Sequence, residues 1–153
     1  MQIATNSDDR KKLALEAAKQ LKDQSGPRVA VFELDGFDTH AAQGGVDGAH
    51  ADELEEVNDI VKILYENLGS TFDNTLILTL TEFGRTIKQN GGYGTEHGYG
   101  SAILMAGGLL KKSQVYSDWP GLKKKELFEG RDLNSTIDLS LIHISEPTRR
   151  SMI

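Results

Sequence analysis

Three short clusters in this chain combine carboxylate, imidazole and guanidinium side chains. They are Asp35-Gly36-Phe37-Asp38-Thr39-His40, Glu82-Phe83-Gly84-Arg85 and Gly94-Thr95-Glu96-His97-Gly98. Carboxylate oxygens and imidazole nitrogens bind divalent metals, and a bound metal lowers the pKa of its water or of a coordinated hydroxyl towards neutrality. The planar fork of a guanidinium binds anionic oxygens. These residue types are typical of a metal site that acts on an anionic substrate.

Each cluster also has a purely structural interpretation. Asp and Gly are common turn residues, so the first cluster can be an ordinary turn. Glu82 and Arg85 can form a local ion pair at the start of a helical turn over residues 83–89, worth a few tenths of a kcal/mol. Glu96 and His97 can lie in a solvated loop. A shared site is favoured because the three clusters lie at the ends of three consecutive predicted strands.

Two amphipathic helices are predicted to carry these loops. The first begins at a cap, Ser7 or Asp8, and runs to about Lys22 with an apolar stripe at helical spacing. The second covers residues 49–68, and Gly69 stands where a helix cap is expected.

Three apolar, β-rich runs are predicted as buried strands, at residues 29–34, 75–81 and 101–106. Short strands are also expected at 114–116 and 126–128. Helices alternating with strands indicate βαβ units, and hence a mostly parallel sheet with flanking helices. The clusters would then meet at the carboxyl ends of the strands, where open α/β sheets bind ligands.

Composition narrows the class of protein. With 153 residues the chain is long enough for one domain, but 38% hydrophobic and 7% aromatic content is modest and suggests part of a larger fold. A formal net charge of −6 argues against a nucleic-acid partner. There is no cysteine, hence no thiolate metal site. Neither a signal peptide nor a membrane span is predicted.

The end of the chain has an unusual sequence. Residues 139–149 read LSLIHISEPTR, which resembles the translation of an adapter used in sequencing libraries. The natural sequence is therefore expected to stop near Asp138, and residues 139–153 to be a non-native tail. His143, Ser145 and Glu146 receive no functional role on this basis.

A resemblance to a known family spans residues 29–138. The motifs that carry it include Gly36-Phe37-Asp38-Thr39-His40, Thr81-Glu82-Phe83-Gly84-Arg85-Thr86, Gly94-Thr95-Glu96-His97-Gly98, Asp118-Trp119-Pro120-Gly121-Leu122 and Arg131-Asp132-Leu133. Their order is similar to that in the C-terminal part of the sulfatase-like proteins called domain of unknown function 1501, of the alkaline phosphatase-like superfamily. The chain departs from the family pattern at Phe37, Thr81, Glu96 and Tyr99, where the family usually has Trp, Ser, Asp and often His.

This resemblance implies that residues 1–138 are the C-terminal portion of a larger domain, a partial alkaline phosphatase-like α/β sandwich with metal ligands at strand ends. By position, Asp38, His40, Glu82 and His97 would fall near the metal-binding loops of that superfamily. The expected ligands of a zinc, calcium or manganese ion are Asp38, His40, His97 and Glu96, where Glu96 either binds the ion directly or orients the His97 imidazole. The expected catalytic residues are Glu82, which would assist or bind the metal, and Arg85, which would bind anionic oxygens. The nucleophile and an export signal would belong to a missing N-terminal half, so this chain alone is expected to be inactive.

Three hypotheses about function follow. The first is a metal-dependent hydrolase of phosphate or sulfate esters, with a small anionic ester as its partner. The second is a non-catalytic exported protein that uses the same fold for binding or surface assembly. The third is a small cytosolic binding domain complete in itself.

Overall fold

Two packed helices form the body of the protein in a computed structural model that describes residues 3–4 and 6–137. Helix α1 is Ser7–Lys22 and helix α2 is Ala49–Leu68. The predicted bounds of α2 and the predicted end of α1 are confirmed, whereas α1 begins at Ser7, a residue that was predicted to cap it. The cap of α1 is Asn6, one residue before the predicted cap, and its side-chain oxygen accepts a hydrogen bond from the Asp9 amide at 2.9 Å. Gly69 caps α2 with a φ of 57°.

The core lies where the helices face each other. Ala14 and Ala18 of α1 are fully buried, and Ile60, Leu64 and Leu68 of α2 are nearly so. The small alanine side chains leave room for the leucines and the isoleucine of α2. Burial of each of these larger side chains contributes about 1.5–3 kcal/mol. Partly buried side chains complete the core at its edge: Ala17, Leu21, Phe32, Leu34, Ile63, Phe72 and Ile77.

The strands in the described residues are only two residues long and form three separate pairs. Strand β1, Ile3–Ala4, pairs in parallel with β2, Glu33–Leu34. Strand β3, Ile77–Leu78, pairs antiparallel with β6, Met105–Ala106. Strand β4, Gly84–Arg85, pairs antiparallel with β5, His97–Gly98. The prediction of a partial sandwich with a mostly parallel sheet is therefore wrong, and this is a small α/β domain with two helices.

The prediction failed because it assumed that β2 and β3 pair across α2. Instead, β2 pairs with β1, and β3 pairs with a strand that follows the site loops. The predicted burial was also wrong, since Val29 and Val31 are about three-quarters exposed, at 75% and 78%. β-branched residues favour a pleated backbone, but they do not specify the partner strand or its direction.

Other predicted elements also differ from the structure. A helical turn was expected over residues 83–89, but this segment begins with β4. Residues 114–116 and 126–128 do not form strands, although Phe128 makes an isolated bridge to Asp132. A single turn of 3₁₀ helix occupies Lys124–Glu126. The tail at 139–153 lies outside the described residues.

A buried arginine joins both helices to the loop that follows β2. Arg10 is only 6% exposed. Its Nη1 donates to Oε2 of Glu53 at 2.6 Å, and its Nη2 donates to the carbonyl of Asp35 at 3.0 Å and to the Asp35 carboxylate. These contacts fix the start of the loop that carries Asp38 and His40.

Neither of the two helices combines the length and the apolar character needed to cross a membrane, among the residues that the structure describes.

Candidate metal centre

The β4–β5 ladder places Arg85 directly opposite His97, with Gly84 opposite Gly98. The two strands approach closely because of these glycines. A Cβ at Gly98 would lie 2.5 Å from the carbonyl carbon of Arg85, and a Cβ at Gly84 would lie 1.9 Å from the carbonyl oxygen of Gly100, just after β5. The sequence thus uses glycine to bring Arg85 and His97 together on one ladder.

A second junction brings the loop of residues 38–43 against the glycine-rich loop of residues 90–96. Ala41 forms a bridge with Tyr93, and the Ala42 amide donates to the Gly92 carbonyl at 2.9 Å. Ala42 and Tyr93 both have positive φ angles, 47° and 62°. Such strain in residues other than glycine is common at functional sites. A Cβ at Gly94 would lie 2.3 Å from the His40 carbonyl carbon, so the approach requires glycine there.

The two junctions converge on one carboxylate oxygen, Oδ1 of Asp38. Arg85 Nη1 lies 2.7 Å from this oxygen. His97 Nε2 lies at 2.9 Å and His40 Nε2 at 3.0 Å. All three predicted clusters therefore contribute a side chain to the same contact.

The residues Asp38, His40 and His97 could hold a metal ion. One ligand atom from each lies within 4.8 Å of the others, and all three residues are exposed. Ligand atoms of a four-coordinate zinc ion with bonds of ~2.0 Å stand about 3.3 Å apart, close to the spacing between Asp38 Oδ1 and the two imidazoles. Three protein ligands with an open side is the arrangement of catalytic zinc sites.

The donor set also discriminates among the predicted ions. One carboxylate and two imidazoles suit zinc, and this mixed set also accommodates manganese. Calcium takes 6–8 oxygen ligands, so it fits this set less well.

The surroundings of Asp38 keep its carboxylate ionised. Partial desolvation raises its pKa, but the hydrogen bonds from His97 and Arg85 and the nearby imidazoles outweigh this effect. The pKa of Asp38 is consequently lowered from its ordinary value. An ionised carboxylate is the form that binds a metal.

Glu96 lies behind His40 and outside the Asp38–His40–His97 trio. Its Oε2 is 2.9 Å from His40 Nδ1, while its Oε1 accepts from Asn90 Nδ2 at 2.5 Å. The hydrogen bond from Asn90 is the largest cause of the lowered pKa of Glu96, and His40 adds to it against a smaller effect of desolvation. In this arrangement Glu96 orients an imidazole, and that imidazole belongs to His40 and not to its neighbour His97.

Arg85 and Phe83 complete the surroundings of Asp38 and His97. Arg85 Nη2 donates to Thr39 Oγ1 at 3.3 Å, and the guanidinium carbon lies 5.6 Å from the centroid of the Phe83 ring. The Phe83 ring also stacks on His97, with centroids 3.8 Å apart and an interplanar angle of 11°. A guanidinium has five N–H donors, so these contacts leave donors for an anion.

Two residues of the predicted clusters do not contact the Asp38, His40 and His97 cluster. Glu82 is exposed and has no side-chain hydrogen bond or ion pair among the described residues. Asp35 is bound by Arg10. His50, which belongs to none of the predicted clusters, is partly buried with its ring edge-on to Phe37, with centroids 5.9 Å apart.

Sequence reasoning missed the part played by Asn90. Its side chain contacts four groups in the two loops, yet none of the three predicted clusters includes it. The sequence indicates only a turn at this position, because Asn side chains often accept hydrogen bonds from backbone amides a few residues ahead in turns of many kinds. Its bond to the His40 carbonyl spans 50 residues and leaves no local pattern in the sequence.

Comparison with known proteins identifies the family and nothing closer. Residues 7–145 match the family model described as protein of unknown function (DUF1501). No curated protein and no solved structure matches the chain. The match covers most of the chain, which therefore belongs to this family.

Proposed function

We propose that this member of the DUF1501 family contributes the metal and anion sites of a metal-dependent hydrolase of phosphate or sulfate esters. The observation that carries the proposal is the meeting of two imidazoles and a guanidinium on the single Oδ1 of Asp38. Metal ligands and an anion-binding group thus lie side by side on an exposed surface. An ester with anionic oxygens is the substrate class that needs both.

Asp38, His40 and His97 are proposed to hold the ion. When bound, the metal would lower the pKa of a coordinated water and polarise an ester oxygen. His97 is held in its place by stacking on Phe83, and His40 by its contact with Glu96. Because these contacts already restrict the two rings in the metal-free protein, the rings lose less conformational freedom when they bind the ion.

Arg85 is proposed to bind the anionic oxygens of the ester. Its guanidinium is anchored at one end by Asp38 and Thr39, and its side chain is 18% exposed. Anchoring fixes the direction of the remaining N–H groups. An arginine held in this way can form bidentate bonds to a phosphate or sulfate group.

Calorimetric titration of inorganic phosphate and inorganic sulfate into the zinc-loaded chain tests the anion site. At least one of the two should bind, and Arg85→Gln should weaken that binding about tenfold or more, because a hydrogen bond to a charged group contributes ~1.5–3 kcal/mol. Arg28→Gln is the control, since Arg28 bonds only to the carbonyls of Asp23 and Gln24 in the described residues. Equal anion binding by the wild-type protein and Arg85→Gln contradicts the proposal.

Turnover separates the hydrolase from the non-catalytic alternative. A longer family member with matching residues should hydrolyse p-nitrophenyl phosphate or p-nitrophenyl sulfate, and alanine at the position matching His97 should abolish the reaction. A metal-loaded protein that binds the anion but hydrolyses neither ester would instead support a binding or surface-assembly role.

A further inference from the structure

We propose that Asn90 and Glu96 are positioning residues that keep the proton of the neutral His40 ring on Nδ1 and leave Nε2 free for the metal. The proposal rests on the proposed function only for the identity of what Nε2 binds. The placement of the proton can be measured without any metal.

Both ring nitrogens of His40 face carboxylates. Nδ1 lies 2.9 Å from Glu96 Oε2, and Nε2 lies 3.0 Å from Asp38 Oδ1. A neutral imidazole has one N–H, so it can donate to only one of the two. The choice decides whether the nitrogen beside Asp38 and His97 carries a lone pair or a proton.

The two carboxylates are unequal acceptors. Asp38 Oδ1 already accepts a hydrogen bond from Arg85 Nη1 at 2.7 Å and has His97 Nε2 at 2.9 Å, so a proton on His40 Nε2 would have to share a crowded acceptor. Oε2 of Glu96 has His40 as its hydrogen-bond partner within the described residues. The free lone pairs of Glu96 therefore attract the single proton to Nδ1.

Asn90 fixes Glu96 in the orientation that this requires. The donor half of its amide, Nδ2, bonds to the His40 carbonyl at 2.8 Å and to Glu96 Oε1 at 2.5 Å. The acceptor half, Oδ1, receives the amides of Gly92 and Gly94 at 2.9 and 3.0 Å. One side chain thus closes the glycine-rich turn and aims the Glu96 carboxylate at His40.

This network has the form of a carboxylate–histidine pair behind a metal ligand. Such pairs set the tautomer of the ligand, and their loss weakens metal binding about 10–100-fold. The network also explains why Glu96 can precede His97 in the chain and yet serve His40.

Glu96→Gln tests the proposal because it inverts the hydrogen bond. Asn90 would continue to donate to the side-chain carbonyl of Gln, which turns the Gln amide nitrogen, a donor, towards His40 Nδ1. The proton should then move to Nε2. Asn90→Asp is the second variant, since it keeps an acceptor for Gly92 and Gly94 but replaces the donor to Glu96 by a negative charge.

The measurement is a long-range ¹H–¹⁵N correlation spectrum of the metal-free chain at pH ~9, where histidine is neutral. Wild-type His40 should carry its proton on Nδ1, and the proton should shift to Nε2 in Glu96→Gln and away from Nδ1 in Asn90→Asp. Glu55→Gln changes an exposed carboxylate of α2 that has no hydrogen bond or ion pair among the described residues, and it should change nothing. Zinc affinity, measured in parallel, should fall about 10–100-fold in both test variants.

Each failure has its own signature. A wild-type ring protonated on Nε2, or one whose tautomer Glu96→Gln leaves unchanged, overturns the positioning role even if zinc binds tightly. A tautomer that shifts as expected in a chain that binds no zinc preserves the positioning role and overturns the proposed metal site.

Discussion

Oδ1 of Asp38 and Nε2 of His97 lie 2.9 Å apart, although 59 residues separate them in the chain. The contact exists because β4 and β5 place His97 opposite Arg85, and Arg85 in turn bonds to the same oxygen of Asp38. The geometry of the site therefore depends on short ladders and loop junctions, with the helix pair as their support.

Gly84→Ala should disrupt the site from a distance. The new Cβ would lie 1.9 Å from the Gly100 carbonyl oxygen, so β4 and the chain after β5 must separate and His97 must shift. We expect zinc affinity to fall at least about tenfold, as for the loss of a support around a metal ligand. Gly91→Ala is the matched control, since a Cβ there meets no atom within 4 Å. Zinc titrations of both variants provide the comparison, and unchanged affinity in Gly84→Ala contradicts this role of the ladder.

Arg10→Met should destabilise the fold by about 2–3 kcal/mol, because it leaves Asp35 and Glu53 without their partner. The cost is below that of a fully buried pair because the Asp35 side chain is 53% exposed. Urea denaturation measures the change. Arg28→Met, which removes an exposed arginine, should stay within about 0.5 kcal/mol of the wild-type value. Equal stability of the two variants would show that the buried arginine contributes little.

Leu64→Ala should cost about 2–5 kcal/mol, because it opens a cavity in the helix–helix core where Leu64 is 5% exposed. Leu15→Ala changes the same residue type at a position that is 45% exposed and should have a much smaller effect. Thermal or urea denaturation distinguishes them. Similar losses at the two positions would contradict the assignment of the core.

Acid should destabilise the metal-free chain partly through Glu96. Its pKa in the folded protein is lowered, first by the hydrogen bond from Asn90 and then by His40. A lowered pKa contributes stability above the unfolded value of ~4.3, and this contribution disappears as the pH falls through the folded value. Glu96→Gln should therefore lose less stability than the wild-type protein between neutral pH and about pH 3. If the unfolding free energies of the two proteins fall by the same amount over this pH range, Glu96 does not contribute to the loss of stability in acid.

The helices could be predicted from the sequence and the sheet could not. Helical periodicity is local, so the apolar stripe of residues 49–68 and the glycine that follows were sufficient to give the bounds of α2. Strand pairing is decided by contacts far along the chain. Nothing near Ile77 and Leu78 indicates that their partners are Ala106 and Met105 and that they run antiparallel.

The sequence predicts which residues belong to the site better than it predicts which residues they contact. Asp38, His40, Arg85 and His97 were nominated from residue type and spacing, and the structure places them around one oxygen. The partner of Glu96 was not foreseen, because the two loops meet through backbone bonds such as Ala42 to Gly92 that have no side-chain signature. Asp35 was placed in a cluster with Asp38 by proximity in sequence, but a buried arginine from α1 binds it.

Metal binding by the purified chain tests the central claim most directly. Isothermal titration with zinc should give one ion bound per chain for the wild-type protein and for His50→Gln, because the His50 ring packs against Phe37 and is not part of the Asp38, His40 and His97 cluster. His40→Ala and His97→Ala should each abolish this binding. Zinc binding that is equally tight in all four proteins, or no binding by the wild-type chain, would contradict a metal centre at Asp38, His40 and His97.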